Sequence, residues 1–295
     1  MVTPPNSRSE PGRLAVVTVS YGSDDVLEAF LASISAASHF PLRVIVADNR
    51  PDDSSGHIRK MTLAAGAEYL PMASNRGYGH AINAAVRTLP PEIEWVIVSN
   101  PDVTFSPDSV DMLLSSGSED LSIAAMGPRI LSSNGDVYPS ARKIPSLRSG
   151  VGHALLANLW PRNPWSRGYR RDDEDGLTRR DTGWLSGACL MVRRSVFVEL
   201  DGFDESYFMY FEDVDLGYRI GQRGLRNVYE PSATVIHTGA HSTQDDAVRM
   251  IQAHHESAIR FLSKKYSAPF LWPLRAALRT GLTFRARIAA RHPRL

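Results

Sequence analysis

Short apolar runs alternate with amphipathic segments through the first 130 residues, and this alternation limits the possible folds more than any other feature. The apolar runs predict buried strands at 13–21, 42–49, 67–72, 93–102 and 121–128. The amphipathic segments predict helices at 24–37, 54–66, 77–89 and 106–116, the last with Ser106 as its cap and Pro107 in its first turn. Because strands that alternate with helices form parallel sheets, we predict an α/β fold with a mostly parallel central sheet flanked by helices.

Polar residues follow several of these predicted strands at the point where each strand ends. They are Ser20-Tyr21, Asp48-Asn49 and Asn100-Pro101-Asp102. Parallel strands present their carboxyl ends at one edge of a sheet, and open α/β sheets bind ligands beyond that edge. The sequence therefore predicts a binding site built from these strand ends.

The second half of the chain has a less regular pattern. Residues 135–182 are rich in Pro, Arg and Trp and predict an irregular or partly helical insertion, with a mobile charged loop at 170–181. Further on we predict a strand at 182–194, two short strands within 226–239 and a long helix at about 245–265. Residues 1–12 are polar and Pro-rich and lack the apolar segment of a signal peptide, so we expect a disordered N-terminus.

Composition narrows the class of protein. A chain of 295 residues, 43% of them hydrophobic, can bury a full core as a soluble globular protein. Cys189 is the only cysteine, which excludes an internal disulfide and favours a reducing compartment. No apolar run approaches the roughly 20 residues that a membrane-spanning helix needs.

The C-terminal segment is basic, although the formal net charge of the chain is only +1. No acidic residue follows Glu256, and basic residues lie there at Lys264, Lys265, Arg275, Arg279, Arg285, Arg287, Arg291 and Arg294. Aliphatic and aromatic residues, including Phe270 and Trp272, stand among them. This pattern is typical of an amphipathic tail that binds an anionic membrane surface. The alternative is a packed pair of C-terminal helices with a solvated basic face.

Two side chains could hold a divalent cation. Asp102, in "SNPDV", lies where the fourth predicted strand ends, and carboxylate oxygen suits magnesium or manganese. The alternative for this motif is an Asx turn, since Asn-Pro and Asp favour turns. His237 ends the alternating strand "ATVIH" and would join the site only if Asp102 lies near it.

Two glycine-containing motifs have both a structural and a functional interpretation. In "ASNRGYGHAIN", Gly77 and Gly79 precede a helix, so they either let the backbone approach a phosphate or form a capped turn. In "GWLSGACLMV", Gly183 and Gly187 flank Trp-Leu-Ser. That segment is either a loop against a sugar ring or a buried strand with a large aromatic anchor.

The stretch "ESYFMYFEDVDLGYRIGQRG" at 205–224 places carboxylates between aromatic residues and a predicted helix. Asp215 and Arg219 lie four residues apart on one helix face, which predicts a structural ion pair. Asp213 then remains beside Glu212, and partial desolvation there would make it a stronger base. The alternative is an ordinary helix start, where acidic residues complement the helix dipole.

The motifs together resemble a family 2 glycosyltransferase of the GT-A fold. They are, in order, "VVTVSYGS", "VIVADN", "NRGYGHAIN", "VSNPDV", "WLSGACLMVRR" and "GFDESYFMYFEDVDLGYRI", and they cover about residues 13–240. Within the family, "YPSAR", "RNPW", "WLSG" and "FMYFEDVDLG" are most similar to the rhamnosyltransferase branch. One departure concerns the usual DxD motif, whose first position is Asn100 here, so that the site carries one negative charge fewer.

The resemblance implies roles for the matching residues. The nucleotide pocket would include Thr18, Ser20, Tyr21, Asp48, Asn75, Gly77, Tyr78, Gly79, Asn100 and Asp102. The acceptor side would include Trp184, Leu185, Ser186, Gly187 and Glu212. Asp213 would be the catalytic base. Asp102 and His237 would hold Mg²⁺ or Mn²⁺ as the cofactor.

The resemblance also implies an activity: inverting transfer of L-rhamnose from dTDP-L-rhamnose to N-acetylglucosaminyl-diphospho-decaprenol, which forms the linker between arabinogalactan and peptidoglycan. The catalytic domain would span 13–243, with a nucleotide-binding half at 13–130 and an acceptor half at 131–243. Residues 244–295 would hold the protein at the cytoplasmic face of the plasma membrane. Alternatives are a relative that uses UDP-galactofuranose or a UDP-hexose, a non-catalytic membrane adaptor, and a nucleic-acid binder, against which the absence of a recognition motif argues.

Overall fold

The computed structural model describes residues 13–50, 56–118, 120–146, 176–239 and 247–291. Its first half contains β1 (Leu14–Ser20), α1 (Asp24–Ala37), β2 (Arg43–Asp48), α2 (His57–Ala64), β3 (Glu68–Pro71), α3 (Tyr78–Thr88), β4 (Trp95–Ser99), β5 (Val103–Phe105), α4 (Ser109–Ser118) and β6 (Ile123–Ser132). Its second half contains β7 (Val137–Tyr138), β8 (Ala141–Arg142), β9 (Arg180–Thr182), β10 (Trp184–Leu185), β11 (Cys189–Arg193), α5 (Arg194–Glu199), α6 (Glu212–Gln222), β12 (Arg226–His237), α7 (Ala247–Lys265) and α8 (Trp272–Arg291).

The central sheet has the strand order β3-β2-β1-β4-β11-β6-β12-β5. Strands β3, β2, β1 and β4 are parallel to one another, as are β6 and β12. Strand β11 lies antiparallel between β4 and β6, and β5 pairs antiparallel with β12 at the edge. The predicted α/β class with a mostly parallel sheet is confirmed.

Both faces of the sheet are covered, which explains why the strands have continuous apolar sequences. Every residue of β1 is buried. Its side chains alternate between two cores: Leu14 and Val16 pack on the side of α1 and α4, and Ala15 and Val17 pack on the side of α3. This two-sided burial fixes the carboxyl ends of β1, β2 and β4 at one edge of the sheet.

The start of α4 differs from the prediction. The helix begins at Ser109 rather than after Ser106, because Asp108 adopts a left-handed conformation with φ 59°. The backbone N–H of Asp108 donates to the carbonyl of Ala36 at the end of α1, at 3.0 Å. Pro107 therefore lies in a turn that this tertiary hydrogen bond closes, and not in the first turn of the helix.

Two strand predictions were also wrong in detail. The predicted pair of short strands within 226–239 is one strand, β12, whose register shifts between Glu230 and Thr234. The side chain of Glu230 accepts hydrogen bonds from the N–H and hydroxyl of Ser232, which closes the irregularity without ending the strand. The predicted strand at 182–194 is two strands, since β10 pairs with β8 in a separate small sheet while β11 enters the central sheet.

Helix α7 docks on the segment from Tyr207 to Val214. Phe261 is fully buried, in a cluster with Tyr207 and Val214, and the hydroxyl of Ser257 donates to the carbonyl of Met209 at 2.9 Å. The prediction of a long helix at 245–265 is confirmed. Across the described ranges, none of the helices combines the length and apolarity needed to cross a bilayer. The predicted disordered N-terminus and most of the 135–182 insertion lie outside the described residues.

Candidate active site

The polar strand ends meet at one edge of the sheet, as the sequence predicts. Ser20 at the end of β1 is in register with Asp48 at the end of β2, and Thr18 is in register with Ser99 on β4. Asp102 lies in the turn between β4 and β5. The edge is completed by the N-terminal ends of α3 and α6.

The ends of β1 and β2 present buried polar atoms that are available to a ligand. The hydroxyl groups of Thr18 and Ser20 and the side-chain oxygen of Asn49 are buried, and none has a hydrogen-bond partner within the described part of the chain. Buried polar groups are normally hydrogen-bonded, so these atoms indicate a polar ligand at this end of the sheet. Tyr21, also predicted for the nucleotide pocket, is 53% exposed beside them.

Asp48 is held in a fixed orientation. One carboxylate oxygen accepts a hydrogen bond from the hydroxyl of Tyr69 at 2.8 Å, and the other accepts from the backbone N–H of Arg50 at 3.0 Å. Each oxygen can accept a further bond. Tyr69 was not among the predicted site residues, because a tyrosine in a short strand carries no motif that marks it.

The turn before α3 requires its glycines for close packing. The side-chain oxygen of Asn75 accepts a hydrogen bond from the N–H of Gly77 at 3.0 Å. Gly77 has φ 102°, and a Cβ there would lie 2.2 Å from the carbonyl oxygen of Phe208. A Cβ at Gly79 would lie 2.9 Å from the Cβ of Phe203. The glycines therefore let this turn approach the 203–208 segment, which is a packing reason in addition to the predicted ligand contact.

Asp102 and His237 lie together, as the predicted cation site requires. The Nε2 atom of His237 is 3.2 Å from Oδ1 of Asp102 and 3.4 Å from the side-chain nitrogen of Asn100. Asp102 is buried, and neither of its carboxylate oxygens accepts a hydrogen bond from the residues that the structure describes. A buried carboxylate that accepts no hydrogen bond from the described residues fits a cation, and carboxylate oxygens suit Mg²⁺ or Mn²⁺. The imidazole of His237 would be a further ligand.

A second group of possible ligands lies elsewhere. His39, Asp108 and Asp111 place their ligand atoms within 4.8 Å of one another. His39 and Asp108 are exposed, and His39 follows the C-terminal end of α1, at the opposite edge of the sheet from the polar strand ends. Asp111 accepts hydrogen bonds from the N–H of His39 and the hydroxyl of Ser38, so these contacts join the end of α1 to α4.

Asp213 is fixed at the start of α6. Its Oδ2 accepts a hydrogen bond from the N–H of Gly187 at 2.9 Å, and its Oδ1 accepts from the N–H of Val214 at 2.8 Å. Burial raises the pKa of Asp213, while these two hydrogen bonds and the charge of Arg142 act in the opposite direction. The result is a positioned carboxylate with a raised pKa, which strengthens it as a base.

Glu212 is buried next to Asp213. One of its carboxylate oxygens has no hydrogen-bond partner among the described residues. Burial and the neighbouring charge of Asp213 raise the pKa of Glu212 to about 8. The two carboxyl groups therefore titrate as a coupled pair, and the raised pKa of Glu212 favours its protonated form near neutral pH.

The chain immediately before this pair is strained. Tyr210 and Phe211 both have φ 67°, a left-handed conformation that non-glycine residues rarely adopt. Their rings pack against His254 of α7 with centroid distances of 5.5 and 5.4 Å. The packing of α7 thus supports the turn that carries the carboxylates. Sequence patterns gave no sign of this strain, because aromatic residues do not mark left-handed positions.

The predicted ion pair between Asp215 and Arg219 is confirmed, with Nε of Arg219 at 2.6 Å from Asp215. Arg219 also donates to the carbonyl groups of Leu200 and Gly202. Lys264 of α7 lies 2.7 Å from the other oxygen of Asp215, a contact that the sequence did not predict. Asp215 is fully buried and holds α6 to its neighbours, which is a structural role.

The segment predicted for the acceptor, 184–187, adjoins Asp213. The indole N–H of Trp184 donates to the carbonyl of Lys143 at 3.2 Å, and Leu185 is buried in the hydrophobic core against Gly127. Ser186 is buried, and the N–H of Gly187 donates to Asp213. Gly187 is therefore the member of this segment that contacts the proposed base.

Comparison with known proteins identifies the family. Residues 11–254 match the family described as "Glycosyltransferase like family 2". The chain belongs to the family 2 glycosyltransferases. The N-acetylglucosaminyl-diphospho-decaprenol L-rhamnosyltransferase of Mycobacterium tuberculosis is 44% identical over 94% of this chain and 93% of its own. The rhamnosyltransferase WbbL of Escherichia coli is 28% identical over 85% of this chain and 92% of its own.

Solved structures of glycosyltransferases share the fold. A mannosyltransferase from Pyrobaculum calidifontis, solved with GDP-Man and Mn²⁺, has a TM-score of 0.58 at 16% identity, over 97% of this glycosyltransferase and 77% of its own chain. The structure of GalNAc-T7 with UDP, GalNAc and Mn²⁺ has a TM-score of 0.54 at 14% identity, over 92% and 54% of the two chains. The predicted GT-A fold is confirmed by these neighbours.

Proposed function

We propose that this glycosyltransferase moves L-rhamnose from dTDP-L-rhamnose to N-acetylglucosaminyl-diphospho-decaprenol. The likeness to the mycobacterial relative along nearly the whole chain supports the choice of substrates. The observation that carries the chemistry is the positioned, buried carboxylate of Asp213 at the edge where the strand ends of the sheet converge. The product would be the disaccharide diphospholipid from which the linker between arabinogalactan and peptidoglycan is built.

Asp213 acts as the general base of an inverting transfer. It accepts the proton of the acceptor hydroxyl while that oxygen forms a bond to the anomeric carbon of rhamnose. The bond from this carbon to the diphosphate oxygen breaks, and dTDP leaves with the electron pair. The acceptor oxygen is itself the nucleophile, so no covalent intermediate on the protein is needed. The hydrogen bonds from Gly187 and Val214 keep the carboxylate in place during the proton transfer.

The nucleotide is held at the carboxyl ends of β1 and β2. Thr18 and Ser20 offer hydroxyl groups that have no partner among the described residues, and Asp48, oriented by Tyr69, accepts a hydrogen bond from the pyrimidine. The turn from Asn75 to Gly79 lies along the diphosphate at the start of α3. Asp102 and His237 would hold the cation, with Asn100 beside them, and a bound Mg²⁺ or Mn²⁺ supplies positive charge that neutralises the diphosphate.

The acceptor is a lipid, so the site must work at a membrane surface. Phe270 and Trp272 are 78% and 65% exposed where α7 ends and α8 begins, and the segment after Glu256 carries no acidic residue. Each basic residue near an anionic surface contributes about 1 kcal/mol, and buried aromatic rings add to this. We therefore propose peripheral binding at the cytoplasmic face through this segment.

A donor panel tests the proposed function. The purified protein would be given dTDP-L-rhamnose, UDP-galactofuranose or a UDP-hexose, together with N-acetylglucosaminyl-diphospho-polyprenol in detergent and Mn²⁺ or Mg²⁺. We expect transfer from dTDP-L-rhamnose alone, with inversion at the anomeric carbon when the product is analysed by NMR. Faster transfer from a UDP-sugar would overturn the assignment of the donor, and retention of configuration would overturn the single-displacement mechanism.

A further inference from the structure

Tyr78, the first residue of α3, connects the nucleotide turn to the proposed base. Its phenolic hydroxyl donates a hydrogen bond to the carbonyl oxygen of Gly187 at 2.9 Å. The N–H of the same glycine donates to Oδ2 of Asp213, also at 2.9 Å. Hydrogen bonds to the backbone of Gly187, just before β11, thus connect a side chain of α3 to the first turn of α6.

The phenol remains a donor throughout the working pH range. Burial, together with the negative charges of Glu212 and Asp213, raises the pKa of Tyr78 well above its usual range. The backbone N–H of Tyr78 donates to the carbonyl of Phe208 at 3.1 Å, and its ring lies against Phe203 at 6.3 Å. The side chain is therefore anchored at both ends and cannot release Gly187 without a rearrangement of the turn.

We propose that Tyr78 is a positioning residue that fixes the carboxylate of Asp213 through the backbone of Gly187. The inference rests on the proposed role of Asp213 as the base. The N–H and the carbonyl of Gly187 lie in adjacent peptide planes that meet at its Cα, so the hydrogen bond to the carbonyl restrains the backbone that presents the N–H to Asp213. Because Tyr78 begins the helix that follows the nucleotide turn, the placement of the base depends on the packing of that turn. This assigns to the tyrosine a role on the acceptor side, in addition to the nucleotide contact that its motif implies.

Substitution of Tyr78 by Phe removes one hydroxyl and keeps the ring. We expect kcat to fall about 3- to 10-fold, as the loss of one such hydrogen bond allows. The Kd for dTDP should change much less than kcat, because the hydroxyl is engaged by Gly187 and the variant keeps the aromatic ring in the nucleotide turn. The hydrogen bond from Gly187 lowers the pKa of Asp213, so its weakening should move the acid limb of the kcat–pH profile to higher pH. The charged and titratable groups that face Asp213 are Glu212 on α6, Arg142 on β8 and Tyr78 itself, and all but Tyr78 remain in the variant.

The matched control is Tyr229→Phe. The hydroxyl of Tyr229 also donates to a glycine carbonyl, that of Gly176, at 2.9 Å, and the side chain is buried on β12. This variant should lose stability while keeping its kcat and its acid limb. If Tyr78→Phe matches Tyr229→Phe in both kinetic measurements, Tyr78 is merely structural and the inference is wrong.

A double-substitution experiment separates this inference from the proposed function. In an Asp213→Asn background, Tyr78→Phe should cause no further loss of kcat, because the base that it positions is gone. A full additional loss would contradict the inference. If Asp213→Asn alone keeps normal turnover, the role of Asp213 fails instead, whatever the effect of Tyr78→Phe.

Discussion

Glu212 and Asp213 place two carboxyl groups side by side in a buried site, and the structure implies that folding changes the proton affinity of Glu212. Its pKa is raised from the ordinary value of 4.5 to about 8. A raised pKa means that the folded protein holds a proton that the unfolded chain releases. The resulting stability is fully present below pH 4.5 and is lost as the pH rises through about 8.

Glu212→Gln should therefore flatten the dependence of stability on pH. Glutamine resembles the protonated glutamate, so we expect equal melting temperatures below pH 4.5 and a higher melting temperature for the variant at pH 9. The same substitution at exposed Glu199 controls for the loss of a surface carboxylate. If the melting temperatures of the wild type and Glu212→Gln change with pH in the same way across this range, the pKa of Glu212 is not raised.

The proposed binding of a cation by Asp102 can be tested by substitution. In the wild type, Mn²⁺ should increase the affinity for dTDP in isothermal titration calorimetry, and Asp102→Ala should remove about 10-fold or more of that increase. His39→Ala is the control, since His39 belongs to the exposed group of possible ligands at the opposite edge of the sheet. An unchanged effect of Mn²⁺ in Asp102→Ala, or its loss in His39→Ala, would place the cation elsewhere.

The turn that begins α3 depends on a close contact between Gly77 and Phe208. Gly77→Ala would put a Cβ 2.2 Å from the carbonyl of Phe208 at a residue with φ 102°. We expect a cost of about 2–4 kcal/mol in the free energy of unfolding, together with weaker dTDP binding. Gly135 has a similar φ of 84°, but a Cβ there would meet no described atom within 4 Å. Gly135→Ala should therefore cost about 1 kcal/mol in the free energy of unfolding and leave dTDP binding unchanged. Equal costs in chemical denaturation would show that the contact with Phe208 does not hold the turn.

Sequence patterns predicted most elements of the first half because burial on both faces of the sheet produces long apolar strands and regular amphipathic helices. They failed where a tertiary hydrogen bond determines the end of an element. At Asp108, before α4, the backbone N–H donates to the carbonyl of Ala36. Within the site, the proximity of Asp102 and His237 could be anticipated from strand ends. Other contacts could not be anticipated, because they depend on how distant segments pack. They are the hydrogen bonds of Tyr69 and Tyr78, the left-handed conformation of Tyr210 and the ion pair between Lys264 and Asp215.

For the molecule as a whole, we propose that the C-terminal helices link the active site to a membrane. Helix α7 packs against the turn that carries Asp213, and exposed aromatic residues follow it. Phe270→Ala combined with Trp272→Ala should therefore lower cosedimentation with anionic vesicles. Fully burying one such ring contributes roughly 1.5–3 kcal/mol, so the loss should be easily measured.

Transfer to a water-soluble acceptor analogue should survive this double substitution, because both rings are largely exposed rather than packed into the protein. Leu121→Ala is the control, since Leu121 is 80% exposed in the segment between α4 and β6. Vesicle binding of the double variant at the wild-type level would show that the aromatic residues are not the membrane contact.

The role of Asp213 as the general base is tested most directly by the turnover of Asp213→Asn, measured together with its affinity for dTDP. Asparagine keeps the size of the side chain but cannot accept the proton, so we expect turnover to fall about 10²- to 10⁴-fold with dTDP affinity unchanged. Asp204→Asn is the matched control in the preceding loop, where Asp204 pairs with Lys264, and it should keep turnover within a few-fold. Near-normal turnover in Asp213→Asn, with the protein folded and dTDP bound, would show that Asp213 is not the base.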